Sequence, residues 1–162
     1  MGPQSRAGQP NAAGFTLVEL VVVLVILGVV AAVAAPRFFD SSTFLQRGYY
    51  EELVGALKYS QKLAVASGCP VRVTVVAGGY QARQQAVQGG TCDLADTTWP
   101  TPVQLADGQT LAGTSPGGVS SSPPVTVTFD ALGRPNLAAD QTITIGTFAL
   151  TVRADSGFVQ AP

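Results

Sequence analysis

From Leu20 to Ala35 the chain is an unbroken run of 16 Ala, Val, Leu, Ile and Gly residues, and Phe15–Glu19 extends it to 21 with one charge, Glu19, near its leading end. That length matches the roughly 20 residues a bilayer-spanning helix needs. Past Pro36 the pattern changes. Charged positions (Arg37, Asp40, Arg47, Glu51, Glu52, Lys58, Lys62) alternate with apolar ones at Leu45, Tyr49, Leu53, Leu57 and Ala64. A spacing of about four residues predicts an amphipathic helix that continues the first into water. Gly68 and then Cys69-Pro70 end it, because glycine suits a helix terminus and proline cannot extend one. A helix from Phe15 to Ser67 has 53 residues, about 80 Å at roughly 1.5 Å each, and Pro36 is expected to bend it.

Beyond Pro70 the period drops to two. Val71–Val75 alternates and runs into Gly78-Gly79, after which Tyr80–Val87 resumes, a hairpin pattern. Residues 91–124 are rich in Gly, Pro, Ser, Thr and Asp and read as a long loop with at most short strands near Val103. Val125–Phe129, Thr142–Ile145, Phe148–Arg153 and Phe158–Gln160 read as further strands, the middle two joined tightly at Gly146-Thr147. The expected class is α+β: a long N-terminal helix whose amphipathic half packs on a small antiparallel sheet, so that each buries the other's apolar face. The expected segments are a polar leader (1–14), a transmembrane helix (15–36), the amphipathic half of the same helix (37–68) and a β domain (69–162).

Composition narrows the chemistry. The 162 residues hold 9 basic and 10 acidic side chains and no histidine. Size allows one small globular unit plus an appendage. The missing imidazole removes histidine general bases, Ser-His-Asp and Cys-His arrangements and histidine metal sites. No enzyme, metal or cofactor is therefore expected. The two cysteines, Cys69 and Cys92, both follow the apolar segment and would be exported with it. An oxidising compartment favours a disulfide between them, with free buried thiols as the alternative. No histidine or neighbouring cysteine completes a metal or catalytic thiol site.

Taken alone, the N-terminal segment is compatible with an ordinary signal peptide, since Ala32-Val33-Ala34 fits the small-x-small pattern cut after an apolar core, or with a plain signal anchor. Three features count against cleavage there: Arg6 is the sole basic residue ahead of the core, Glu19 interrupts its start, and the amphipathic pattern follows directly. Gly14-Phe15-Thr16-Leu17-Val18-Glu19-Leu20 strongly resembles the class III signal of type IV pilins and type II secretion pseudopilins. That resemblance implies cleavage by a prepilin peptidase between Gly14 and Phe15, methylation of the new Phe15 amine, and retention of the helix. It also implies a role for Glu19 in filament assembly and a helix bend at Pro36. A carboxylate in hydrocarbon costs up to about 3 kcal/mol on insertion scales. The amine of a neighbouring subunit's Phe15 would offset that cost only in the correct stagger, so the pair would act as a register pin. The leader departs from the family's several basic residues, which leaves the positive-inside signal weak.

The second half carries another resemblance. Val125–Pro135, Thr142–Ile145, Leu150-Thr151-Val152-Arg153 and Ser156-Gly157-Phe158-Val159 are similar to the C-terminal half of GspH/FimT-type minor pseudopilins, and Glu52–Leu57 with Ala64–Val73 is similar to the same group. Minor prepilins of mannose-sensitive haemagglutinin-type pili share these features. The resemblance implies a minor subunit of a type IV pilus or type II secretion pseudopilus, single-pass in the inner membrane with its β domain in the periplasm. The implied partners are prepilin peptidase, other subunits and the inner-membrane assembly platform. Alternatives are a secreted or anchored β-domain binding module with an ordinary signal peptide, a major pilin, or a DNA-uptake minor pilin. Against the last, residues 69–162 set Arg72, Arg83, Arg134 and Arg153 against six aspartates, without the clustered charge that nucleic acid requires.

Remaining candidates read as structural. Asp93, Asp96 and Asp107 lack EF-hand spacing and suit turns better than calcium. Asp130-Ala131-Leu132-Gly133 suits a turn between strands. Gly78-Gly79, Gly89-Gly90 and Gly117-Gly118 lack the Lys-Ser/Thr of a phosphate loop. Trp99 in Trp99-Pro100-Thr101-Pro102 is expected to anchor its loop rather than to meet another subunit.

Overall fold

The computed structural model describes residues 14–34 and 41–161, in two compact units divided between Asp40 and Ser41. The leader before Gly14, the expected bend at Pro36 and the expected continuity between the two helices lie outside the described residues.

In the first unit α1 (Leu17–Ala34) has 18 residues and a glutamate in its first turn. It is apolar all round, and its large side chains from Leu17 to Val30 are exposed on the helix itself. The expected membrane helix over 15–36 is thus described over a shorter span. Eighteen residues make about 27 Å, slightly less than a hydrocarbon core of about 30 Å. Among the described residues no helix is long and apolar enough to cross a membrane.

The second unit is α2 (Ser41–Ser67) packed on β structure. Tyr49, Leu53, Leu57 and Ala64 are buried as their spacing predicts, together with Tyr50, Val54, Ala56 and Ser60. Leu45, at the edge of the stripe, stays exposed. The helix stops where expected: Gly68 takes φ +66°, and the Ser67 hydroxyl accepts the Cys69 N–H at 3.2 Å.

The strands are β1 (Val71–Val76), β2 (Gly79–Gln84), β3 (Val87–Gln88), β4 (Thr91–Cys92), β5 (Thr101–Pro102), β6 (Ala112–Thr114), β7 (Ser121–Ser122), β8 (Val125–Phe129), β9 (Gln141–Ile145), β10 (Phe148–Val152) and β11 (Val159–Gln160). They form two main antiparallel sheets and not one. The first runs β5-β2-β1-β8 with β6 also on β2; the second runs β11-β10-β9-β7; β3 and β4 make a separate ribbon. The division arises in residues 91–124. β5 and β6 edge the first sheet, and then Ser121 bonds the Val76 carbonyl of β1 while β7 pairs with β9. The chain thereby passes from one sheet to the other before β8 returns to β1. Alternation sets the core: Val71, Val73, Val75, Val127, Phe129, Ile143, Ile145, Leu150 and Val152 point inward against α2.

The strand expected over Tyr80–Val87 ends at Gln84, because Gln85 turns inward and donates to the Leu94 and Asp96 carbonyls. Phe158 precedes β11 and is exposed. The hairpin turn expected at Gly78-Gly79 falls one residue earlier, at Ala77-Gly78, because Gly79 already pairs with Val76 as the first residue of β2, and the Gly146-Thr147 turn joins β9 and β10 as expected.

Candidate functional site

Gly14, Phe15, Thr16 and Glu19 lie together at the exposed head of α1. The Thr16 Oγ1 accepts the Glu19 N–H at 3.2 Å, and the Thr16 carbonyl accepts the Leu20 N–H at 3.1 Å. Thr16 is therefore the N-cap, and the helix begins two residues after the expected cut. Its sequence signature, Thr-x-x-Glu at the head of an apolar run, is that of a capping box. Thr16 is absent from the site residues expected from sequence, although that spacing reveals it. Glu19 in the first turn also meets the positive end of the helix dipole.

This head can position two charges. The cut expected after Gly14 would leave an amine on Phe15, one residue before the cap, while the Glu19 carboxylate sits at the third helical position. Thirteen large apolar side chains of this segment, from Phe15 (81% exposed) to Val30 (57% exposed), are exposed along the helix. Each is worth about 1.5–3 kcal/mol when fully buried.

In the second unit, Cys69 and Cys92 are disulfide-bonded, with Cα atoms 5.5 Å apart. The bond ties the β3–β4 ribbon to the end of α2. Trp99 is buried, as an anchor must be, and takes φ +54°. The Arg72 guanidinium stands 4.1 Å from its ring centroid, and Arg83 Nη1 donates to its carbonyl at 3.1 Å. Asp96 holds the same segment: its carboxylate accepts from the Thr98 hydroxyl and N–H and from the Ala86 N–H. Those bonds hold its carboxyl below the ordinary range. Asp93 and Asp107 likewise accept the N–H two residues on. All three aspartates thus shape turns. Among the described residues no three acidic or thiol groups gather as metal ligands.

Asp130–Gly133 is a turn, with Gly133 at φ +78° and the Asp130 Oδ1 accepting the Leu132 and Arg134 N–H groups. On α2, Glu52 accepts the Tyr80 hydroxyl at 2.7 Å. Burial first, and then that carboxylate, push the Tyr80 phenol well up.

A family model described as the prokaryotic N-terminal methylation motif matches residues 9–35, and one described as type II transport protein GspH matches residues 50–160. The type IV narrow pilus major component PilA5 of Thermus thermophilus is 36% identical over 62 residues, which cover 37% of this chain and 53% of that relative. The chain thus spans about half the length of the curated relative it matches. Among solved structures, the type IV minor pilin FimU of Pseudomonas aeruginosa aligns with a TM-score of 0.48 at 17% identity, over 72% of this chain and 91% of that one. The GspH match takes in most of α2 and all eleven strands, and on that extent the chain belongs to the type II transport protein GspH family.

Proposed function

We propose that the chain is a non-enzymatic minor subunit of a type IV pilus or type II secretion pseudopilus, made as an inner-membrane precursor and cut between Gly14 and Phe15 by a prepilin peptidase. The observation that carries this reading is α1, an all-apolar helix with one charge, in its first turn, and a capped start two residues past the cut. Such a helix is untenable in water and needs lipid or neighbouring helices around it. The match to an N-terminal methylation motif over residues 9–35 supports the same reading.

In this reading the helix anchors the precursor in the inner membrane with the second unit in the periplasm. It then exchanges lipid for the helices of other subunits at the assembly platform. Glu19 pairs with the Phe15 amine of a neighbour, and the penalty on an unpaired ion in an apolar surround selects the stagger. The disulfide suits the oxidising compartment into which the β domain would be exported.

Intact-mass and N-terminal peptide mass spectrometry of the chain from its own host, with and without the prepilin peptidase, tests this. The expected result is a peptidase-dependent start at methylated Phe15. A start at Ala35 would mean that α1 is discarded, and a secreted β-domain module would replace the filament reading.

A further inference from the structure

Three connections of the second unit gather at the start of α2. The Gln46 amide lies where a Cβ on Gly146 would stand, and the Tyr50 ring is 5.4 Å from that of Phe148, so the β9–β10 turn sits beside the first turns of the helix. Tyr49 is 6.2 Å from Tyr80, which pairs with Val75 near the end of β1, and this places the Ala77-Gly78 turn at the same end. The Ser121 hydroxyl bonds the Val76 carbonyl and the Ser115 N–H the Gly78 carbonyl, which brings in the loop between β6 and β7.

Charge is distributed unevenly along the unit. Residues 73–82, 108–129 and 141–152, which supply those connections, contain no charged side chain. Where α2 adds charge, Arg47 pairs with Glu51 at 3.9 Å and Glu52 is held by the Tyr80 hydroxyl. The opposite end carries Asp93, Asp130, Asp140 and Asp155: Cys92, beside Asp93, is bonded to Cys69 just past α2, and Gln61 bonds the Gly133 and Ser156 carbonyls. At the uncharged end large apolar side chains stand exposed from two elements, Phe44 (80%) and Leu45 (39%) on α2 and Val76 (48%) on β1.

The chain itself says what this end meets. Phe44 lies ten residues past the end of α1, at most about 36 Å even along a fully extended chain, so a bilayer that holds α1 is tethered to the uncharged end and to no other. Exposed apolar and aromatic side chains with an arginine close by are what a headgroup layer accepts, and Arg37, Phe38 and Phe39 of the connecting stretch add the same residue types. Carboxylates, which anionic headgroups would repel, are kept to the far end. We propose that the start of α2 and the β9–β10 turn form a bilayer-docking surface of the second unit, with Phe44 and Leu45 entering the interface and Arg47 at the lipid phosphates. This rests on the reading of α1 as the membrane segment.

The full chain is reconstituted into vesicles of phosphatidylglycerol and phosphatidylcholine brominated on the acyl chain close to the glycerol. The probes are Phe44→Trp on α2, Thr147→Trp on the β9–β10 turn, and Val65→Trp, about 32 Å farther along α2. The first two report on the surface from different elements, so a folding defect in one leaves the other to decide. The wild type, whose sole tryptophan is the buried Trp99, sets the baseline. Bromolipid quenching should exceed that baseline at least about threefold in Phe44→Trp and Thr147→Trp and match it in Val65→Trp. Baseline quenching at both positions in a chain that floats with the vesicles would overturn the docking surface and leave the membrane reading of α1 intact. A chain that fails to float would overturn that reading first and the docking surface with it. Shielding of Phe44→Trp from acrylamide that grows with the protein-to-lipid ratio, without bromolipid quenching, would overturn the surface in favour of a second copy of the chain.

Discussion

The Thr16 hydroxyl accepts the backbone N–H of Glu19 at 3.2 Å, so the residue that starts α1 also fixes the backbone from which its one charged side chain departs. In water such a cap is worth about 0.5–2 kcal/mol. In an apolar surround the orphan N–H has no solvent to turn to and costs more. Thr16→Ser should therefore assemble like the wild type. Thr16→Val, close in shape but without the acceptor, should lower the amount of subunit in sheared filament fractions while precursor levels in the membrane hold. Equal incorporation of the two variants would remove the cap from the account.

Glu19→Ala and Glu19→Val address the charge itself. Both leave the second unit untouched and raise the apolarity of α1, so membrane retention should persist or improve while filament incorporation is lost. The measurement is complementation of a deletion strain, scored by immunoblot of membrane and filament fractions. Full incorporation of either variant would exclude the proposed pairing with a neighbour's amine.

Tyr80 sets an alkaline limit on stability. Burial raises its phenol above the ordinary 10.0, and the hydrogen bond to Glu52 and the charge of that carboxylate act in the same direction. The unfolded chain therefore loses the proton first. Stability is full below about pH 10 and falls as pH rises toward the folded-state value. Tyr49 and Tyr50 are raised as well, chiefly by burial. Urea midpoints should thus fall above about pH 10 in the wild type and fall less steeply in Tyr80→Phe. Parallel pH profiles would show that the phenol is not the group responsible.

Much of this fold is legible in the sequence because period and punctuation carry it. The α2 stripe, the β1–β2 hairpin, the Asp130–Gly133 turn and the Gly146-Thr147 turn each follow from local residues. The two-sheet division is not legible. β5, β6 and β7 have two or three residues each, too few to show an alternation, and they pair through contacts distant in sequence. The same holds for Glu52 with Tyr80 and for Arg72 over Trp99: the residues are visible, but only the folded chain says that they meet. Gln85 departs from a strand-like run because its amide is drawn to the loop carbonyls of Leu94 and Asp96. At the N-terminus the reverse applies, since Thr16 was available as a four-residue signature and needed no tertiary contact.

The Cys69–Cys92 disulfide closes a loop with a sequence separation of 23. By chain entropy this is worth about 3–4 kcal/mol. The bond holds the ribbon that leads into the Asp96–Trp99 segment, so its loss should also be felt at Trp99. Cys92→Ser should lower the urea midpoint and shift the sole tryptophan's emission toward that of an exposed indole. A normal midpoint in Cys92→Ser would mean that the ribbon is held by Asp96 and Gln85 without help from the bond.

Gly157, between β10 and β11, is hemmed in by neighbouring backbone. It takes φ +70° and donates its N–H to the Arg153 carbonyl at 2.8 Å. A Cβ there would collide with the Gly133 carbonyl and press on the Gln61 amide, which itself bridges the Gly133 and Ser156 carbonyls at 3.0 and 2.9 Å. A left-handed conformation costs an L residue about 1–2 kcal/mol before any collision, so Gly157→Ala should destabilise by at least about 2 kcal/mol. Gln61→Ala should cost about 1 kcal/mol by leaving two carbonyls to solvent. The two act through one contact, and removing the Gln61 side chain opens space for the new methyl group. The double variant should therefore lose less stability than the sum of the singles. Urea titration of the four proteins gives the coupling directly, and strict additivity would separate the backbone strain at Gly157 from the Gln61 bridge.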